Sequence, residues 1–280
     1  MGGIPPNIRD ILHEKDIKIV ETAINIVRKG EEQNIVLRIL GAIAVVLHAG
    51  EFAQLYKKLG RLHEGENIFT DIDFIGYSAQ RAKIRKFFED FLKFSPDMHI
   101  LLITGGKRLI YYSDDKNIHI DVFFDSLEFS HTISFGNKPG KGRLELCSPT
   151  ISPTDIALGK LQIHQINEKD LIDLIVLFRS HEVAAQDEPD KINAKYIASI
   201  LADDWGFWYD ATTNLKKLKE YTLMRVKNGK LKEQDGQNTI QKINYLTETI
   251  NSEPKTKKWK KREKIGTSKP WYRVVEEITR

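Results

Sequence analysis

Three aspartates occupy positions where they could bind divalent metal ions. Asp71 and Asp73 lie in the segment TDIDFIGYS, where polar and apolar residues alternate as in a strand with one buried face. Side chains two residues apart on a strand share a face and lie about 7 Å apart. Asp121 has the same phase in IHIDVFF, where Ile120 and Val122 belong to the buried face. The third carboxylate can therefore join the first two.

A cluster of these carboxylates would require a cation. If the two segments are neighbouring strands in matching register, each like-charged pair repels by about 2.5 kcal/mol at an effective dielectric near 20. Two Mg²⁺ ions about 4 Å apart, or Mn²⁺ in their place, suit oxygen ligands and stabilise the attacking and leaving oxygens of phosphoryl transfer. The alternative interpretation is a solvated acidic face near a turn.

The elements around the aspartates predict an α+β fold, with a mixed sheet and flanking helices followed by an all-helical part. Residues 1–150 form the α/β domain with N-terminal helices, and residues 151–280 form the helical domain. A helix begins at Gly41, a polar loop covers residues 62–70, and a helix begins at Pro153 after the N-cap Ser152. The predicted strands are TDIDFIGYS, HILLIT, RLIYYS, IHIDVFF and RLELC.

Composition excludes several classes of protein. The 280 residues are 41% hydrophobic and 29% charged and include one cysteine, which argues against disorder and against a disulfide framework. The longest apolar run is far shorter than the roughly 20 residues of a membrane span. The start MGGIPPNIRD lacks the apolar core of a signal peptide. We expect a cytoplasmic protein that does not enter a membrane.

The positive charge is concentrated near the C-terminus. The string KTKKWKKREK at residues 255–264 carries seven cations and one anion, a net charge of +6, so the other 270 residues sum to 4 − 6 = −2. Cations mixed with Trp259 are typical of RNA-contacting segments, although such runs are more often solvated helix faces. The aromatic residues of DWGFWYD are expected to pack between helices rather than to stack on bases.

The ordered set LGAIAVVLH, DIDF and HIDVFF resembles the nucleotidyltransferase fold of the DNA polymerase beta superfamily. The resemblance implies that Gly41 and Ala42 hold the triphosphate and that Asp71 and Asp73 bind two Mg²⁺ ions. It also implies that Asp121 shares a metal and activates the acceptor hydroxyl.

The downstream segment GKLQIHQINEKDLIDLIVLF resembles the helical motif of the AbiEii-like branch of that superfamily. The resemblance implies that Lys160 contacts phosphate and that Asp170 or Asp173 supports the site. The residues themselves leave other roles open. Asn167 is a candidate N-cap that would put Asp170 at the third helical position, where a carboxylate stabilises a helix start. Asp173 could be a salt-bridge partner.

These observations favour a Mg²⁺-dependent nucleotidyltransferase that moves a nucleoside monophosphate from a nucleoside triphosphate to an acceptor hydroxyl. The basic arm and the AbiEii-like motif point to RNA, in particular tRNA, as acceptor in a toxin-like role with an antitoxin partner. A small molecule and a protein are the alternative acceptors. The alternative is a catalytically inactive module with the same fold and a binding or regulatory role, because Ala42 replaces the usual Ser or Gly. A nuclease of the PD-(D/E)xK kind is disfavoured, because no acid-x-Lys accompanies Asp121 or RLELC.

Overall fold

The computed structural model describes residues 3–61 and 68–274, which fall into two compact units. The N-terminal unit contains residues 3–54, 68–127 and 134–152. The C-terminal unit contains residues 55–61, 128–133 and 153–274. The domain boundary predicted at residue 150 would put the short segments 55–61 and 128–133 in the N-terminal domain. In the structure they belong to the helical unit. Of the polar loop predicted at residues 62–70, residues 62–67 lie outside the described part of the chain.

The fold combines long helices with short strands, so the predicted α+β class is confirmed. Across the described residues, no helix has both the length and the apolar character that crossing a membrane requires. The helices are α1 Pro6–Arg9, α2 Glu14–Glu32, α3 Gly41–Leu47, α4 Gln54–Leu59, α5 Arg81–Lys86, α6 Met98–Ile103, α7 Pro153–Leu161, α8 Glu168–Ser180, α9 Ala194–Asp203, α10 Trp205–Lys227, α11 Glu233–Ser252 and α12 Lys257–Glu263. The strands are β1 Leu37–Ile39, β2 Asp71–Gly76, β3 Ser95–Pro96, β4 Arg108–Tyr112, β5 His119–Phe124, β6 Ser126–Glu128, β7 Thr132–Ser134, β8 Val183–Ala184 and β9 Ile192–Asn193.

A mixed five-stranded sheet of order β1-β2-β5-β4-β3 lies at the centre of the N-terminal unit. Strands β2 and β5 are parallel, whereas the other neighbours are antiparallel. Apolar side chains on one face are fully buried, and among them Phe74 packs near Phe88, whose ring stacks on Tyr111 at 4.8 Å. Because strand side chains alternate between faces, burial of this face turns the aspartates of β2 and β5 to the opposite face.

Two of the predicted strands are wrong. The segment HILLIT forms helix α6, which begins after Asp97. The Asp97 carboxylate Oδ1 accepts hydrogen bonds from the backbone N–H groups of His99 at 3.0 Å and Ile100 at 3.1 Å. A short apolar run without alternation fits a strand and a helix equally well, and the N-cap decides for the helix. The segment RLELC contains a 3₁₀ turn at Leu144–Leu146.

The C-terminal unit is mostly helical, and helix α7 begins at Pro153 as predicted. The expectation of an all-helical second part is nevertheless wrong, because β8 and β9 pair as a short parallel sheet. Asn193 ends β9 and caps α9, since its Oδ1 accepts a hydrogen bond from the N–H of Tyr196 at 2.9 Å. Strands of two residues are too short to show the alternation from which a strand is predicted.

Candidate active site

The pairing of β2 with β5 brings the three predicted aspartates onto one face of the sheet. The Cα partner of Asp73 on β5 is Asp121, and the partner of Asp71 is His119. Directly opposed residues of neighbouring parallel strands point to the same side, and adjacent strands lie about 4.8 Å apart. The register therefore places Asp71, Asp73 and Asp121 on the same face of the sheet. It also places His119 among them.

Asp73 lies where negative charge is least well compensated. Burial, followed by repulsion from Asp121 and Asp71, raises the pKa of Asp73 to about 7, although Arg108 and His119 act in the opposite direction. Among the described residues, no group donates a hydrogen bond to the Asp73 carboxylate. An added cation beside this carboxylate would relieve the repulsion and favour its ionised form.

Arg108 is a residue of the site that the sequence reasoning missed. It begins β4, on the other side of β5 from β2. Its Nε donates to Asp121 Oδ1 at 2.7 Å and to Oδ2 at 2.9 Å, and its Nη2 donates to Oδ2 as well. The guanidinium also lies 4.9 Å from the ring centroid of Phe123, its Cα partner on β5. The third carboxylate thus has a cation of its own.

His119 lies on the same face as Asp121, as the alternation in IHIDVFF predicts, but the sequence reasoning gave no histidine a role in the site. Its Nδ1 lies 2.8 Å from Asp71 Oδ1, and its ring centroid lies 5.0 Å from that of Tyr112. The signal in the sequence was the alternation itself, which turns His119 towards the acidic face. Its contact with Asp71 depends on the register between β2 and β5, which the sequence does not reveal.

Gly41 approaches Asp73 more closely than any other residue type would allow. Its φ is +69°, and a Cβ atom placed on it would lie 2.6 Å from Asp73 Oδ2. The N–H of Leu40 donates to the backbone carbonyl of Asp73 at 3.0 Å, which holds the two segments together. Ala42, the second residue of the predicted turn, follows in α3 and is partly exposed. The predicted glycine turn therefore lies next to the acidic cluster.

We expect Gly41→Ala to displace the Asp73 carboxylate and to weaken Mn²⁺ binding by about tenfold or more, because the new methyl group competes for the same space. The matched control is Gly50→Ala, because Gly50 also has positive φ, at +50°, but has nothing within 4 Å of the added carbon. Both variants carry a backbone cost of about 1 kcal/mol. Calorimetric Mn²⁺ titration separates them, and equal affinities in the two variants would contradict a role for Gly41 in shaping the site.

The second group of predicted residues forms an ion cluster inside the C-terminal unit. Lys160 Nζ lies 2.8 Å from Asp170 Oδ1 and 2.7 Å from Asp173 Oδ2, and Arg61 Nε lies 3.1 Å from Asp173 Oδ1. Burial lowers the pKa of Lys160, but Asp173 and Asp170 more than offset this, so that its pKa is raised. Lys160 is thus a charged lysine, 16% exposed, that pairs with both predicted supporting carboxylates.

The capping role considered for Asp170 is combined with this ion pair. Asn167 caps α8, because its Oδ1 accepts a hydrogen bond from the N–H of Asp170 at 3.1 Å. The Asp170 carboxylate lies in the first turn, where negative charge stabilises a helix start. Asp173 is a salt-bridge partner, as its position on the helix suggested.

The basic arm folds back as helix α12, with one apolar anchor. Trp259 is 5% exposed and makes an edge contact with Trp208 at 5.1 Å. Trp205 and Phe207 are buried, which agrees with the predicted packing role of the aromatic segment. The lysines of the arm that are exposed to solvent are Lys257, Lys258, Lys260, Lys261 and Lys264.

Comparisons with protein-family models, with curated proteins and with solved structures give no match for this chain.

Proposed function

We propose that this protein is a divalent-cation-dependent nucleotidyltransferase that transfers a nucleoside monophosphate from a nucleoside triphosphate to an acceptor hydroxyl. The observation that carries the proposal is the register of β2 and β5, which opposes Asp73 to Asp121 and leaves Asp71 on the same face. Such a set of carboxylates serves in-line phosphoryl chemistry, because it binds metal and can receive a proton.

The proposed cofactor is a magnesium ion, for which Asp71 and Asp73 offer ligands of a suitable type. Mg²⁺ prefers carboxylate oxygens and keeps several of its waters, so that one or two protein ligands suffice. Asp73 offers both oxygens and lacks a hydrogen-bond donor among the described residues, and Asp71 shares its face. When bound, Mg²⁺ supplies positive charge for the triphosphate and for the pyrophosphate that leaves. Asp71 and Asp73 would hold it, and manganese could replace it.

The remaining roles belong to residues of this chain. The Asp121 carboxylate would take the proton of the acceptor hydroxyl, and the backbone around Gly41 and Ala42 would bind the triphosphate beside Asp73. The close approach of Gly41 to Asp73 supports this arrangement. Lys160, whose place in the motif suggests a phosphate contact, would bind phosphate, and Asp170 and Asp173 would support it through the ion pairs that they make with it.

RNA, and tRNA in particular, is the acceptor that we propose. The support is the exposed cationic face of α12, where Trp259 is buried and the four lysines of the helix, with Lys264 directly after it, are exposed to solvent. Clustered cations of this kind bind a phosphate backbone with little regard to sequence. The AbiEii-like motif suggests a toxin-like role for this modification, so that an antitoxin partner is part of the same proposal.

The test combines binding with transfer. Calorimetry should show that a nucleoside triphosphate binds only with Mg²⁺, and incubation with labelled nucleotides and total RNA should transfer label to RNA. The control is Asp71→Ala, which should lose both signals. A wild-type protein that binds none of the four triphosphates in the presence of Mg²⁺, or label that enters RNA equally with Asp71→Ala, would refute the assignment.

One observation favours the alternative of an inactive binding module. Arg108 holds both oxygens of Asp121, which leaves the proposed base already paired with a cation. In that case RNA should still bind, and substitution of Lys257, Lys260 and Lys261 by glutamate should release it. The absence of any Mg²⁺-dependent triphosphate binding together with such charge-dependent RNA binding would favour the module.

A further inference from the structure

We propose that Arg108 is the resident cation of this site, so that the protein binds a single divalent ion on Asp71 and Asp73 while Asp121 stays paired with the guanidinium. This inference rests on the proposed function and specifies how its metal site is built. It differs from the two-ion arrangement that the resemblance implies. Arg108 is then a positioning residue, since it acts on the site through Asp121.

The Arg108 side chain is held in a fixed position. Its guanidinium is fixed from two directions, by the Asp121 carboxylate and by the ring of Phe123 at 4.9 Å. Its side chain is 26% exposed, and that of Asp121 is 2% exposed. A planar guanidinium that makes two hydrogen bonds to one carboxylate and lies on an aromatic ring is positioned far more firmly than a surface side chain.

The negative charges on this face of the sheet are compensated to different degrees. Asp121 is neutralised by Arg108, and Asp71 is within hydrogen-bond distance of His119. The Asp73 carboxylate, by contrast, accepts no hydrogen bond from any of the described residues. A divalent ion is therefore attracted most strongly to Asp73, with Asp71 on the same strand face as its neighbour.

The positive charge of Arg108 disfavours the binding of a second divalent ion. A guanidinium stays charged at every pH at which the protein is folded, so its positive charge next to Asp121 is permanent. A second divalent ion bridging Asp73 and Asp121 would lie beside this charge and would be repelled by it. Removal of the charge should therefore create a second binding position.

The experiment is a Mn²⁺ titration of the full chain, followed by the electron paramagnetic resonance signal of free Mn²⁺. We expect one bound ion in the wild type and two in Arg108→Met, because methionine has a similar length and can stay on Phe123 but carries no charge. Should the variant bind only one ion, we expect its Kd to fall by about tenfold or more. Arg108→Lys, which keeps the charge, should behave as the wild type. The matched control is Arg85→Met, a helix arginine paired with Glu89.

Two bound ions in the wild type would overturn the proposal, and so would Arg108→Met with the stoichiometry and affinity of Arg85→Met. A wild-type protein that binds no Mn²⁺ would overturn it as well. Circular dichroism checks folding, and Arg108→Gln, which can still donate to Asp121, replaces the methionine variant if that one unfolds. Mn²⁺ binding that behaves as expected in a protein that binds no nucleotide would instead reject the proposed function alone.

Discussion

Replacing Asp73 with asparagine is expected to lower nucleotidyl transfer by about 10³-fold. The substitution removes the charge that holds the metal ion, and loss of several kcal/mol of charge stabilisation corresponds to a rate loss of this size. The substitution should not lower the stability of the folded protein. Burial and the neighbouring carboxylates already disfavour the ionised form of Asp73, whose pKa is raised to about 7. The variant without metal is therefore expected to unfold at the same or a higher denaturant concentration at pH 8.

The matched control for this substitution is Asp125→Asn, directly after β5, the parallel neighbour of the strand that contains Asp73. Asp125 has φ +64°, which asparagine tolerates, and its Oδ1 accepts a hydrogen bond from the N–H of Ser78 at 2.7 Å, which an asparagine oxygen can also accept. Label transfer to RNA under single-turnover conditions is the measurement. Activity of Asp73→Asn within a few-fold of that of Asp125→Asn would show that Asp73 holds no essential ion.

Replacing Lys160 with methionine is expected to lower the free energy of unfolding by about 3 kcal/mol or more, because it leaves buried carboxylates without their cation. Asp173 would retain Arg61, but Asp170 would lose the ammonium group that lies 2.8 Å from it. Urea denaturation measured by circular dichroism gives the free energy. The control is Lys169→Met, an exposed lysine on the same helix as Asp170, which should change stability by less than about 0.5 kcal/mol.

A second substitution separates the loss of charge balance from the loss of packing. Lys160→Met combined with Asp170→Asn should recover part of the lost stability, because one uncompensated charge is removed as well. If Lys160→Met instead keeps full stability and weakens only triphosphate binding, the lysine contacts phosphate and its ion pairs matter little for the fold.

The sequence alone was sufficient for those features that depend on near neighbours along the chain. Alternation of polar and apolar residues predicted the strands that contain Asp71, Asp73 and Asp121, as well as the face that each aspartate occupies. The start of the helix at Pro153 was predicted for a similar reason, because the expected cap Ser152 and the first turn lie within a few residues. Where local signals conflicted, as in HILLIT, the cap at Asp97 was overlooked and the prediction failed.

Contacts between distant segments were decided by the tertiary structure alone. The sequence could not show that β5 lies between β2 and β4, or that the register opposes Asp73 to Asp121. For this reason it missed Arg108, which reaches Asp121 from β4, and the contact of His119 with Asp71 on the neighbouring strand. It also could not show that Lys160 pairs with Asp170 and Asp173. Local periodicity determines which face a side chain occupies, whereas strand order, register and helix packing arise from burial over the whole chain and determine which charge it meets.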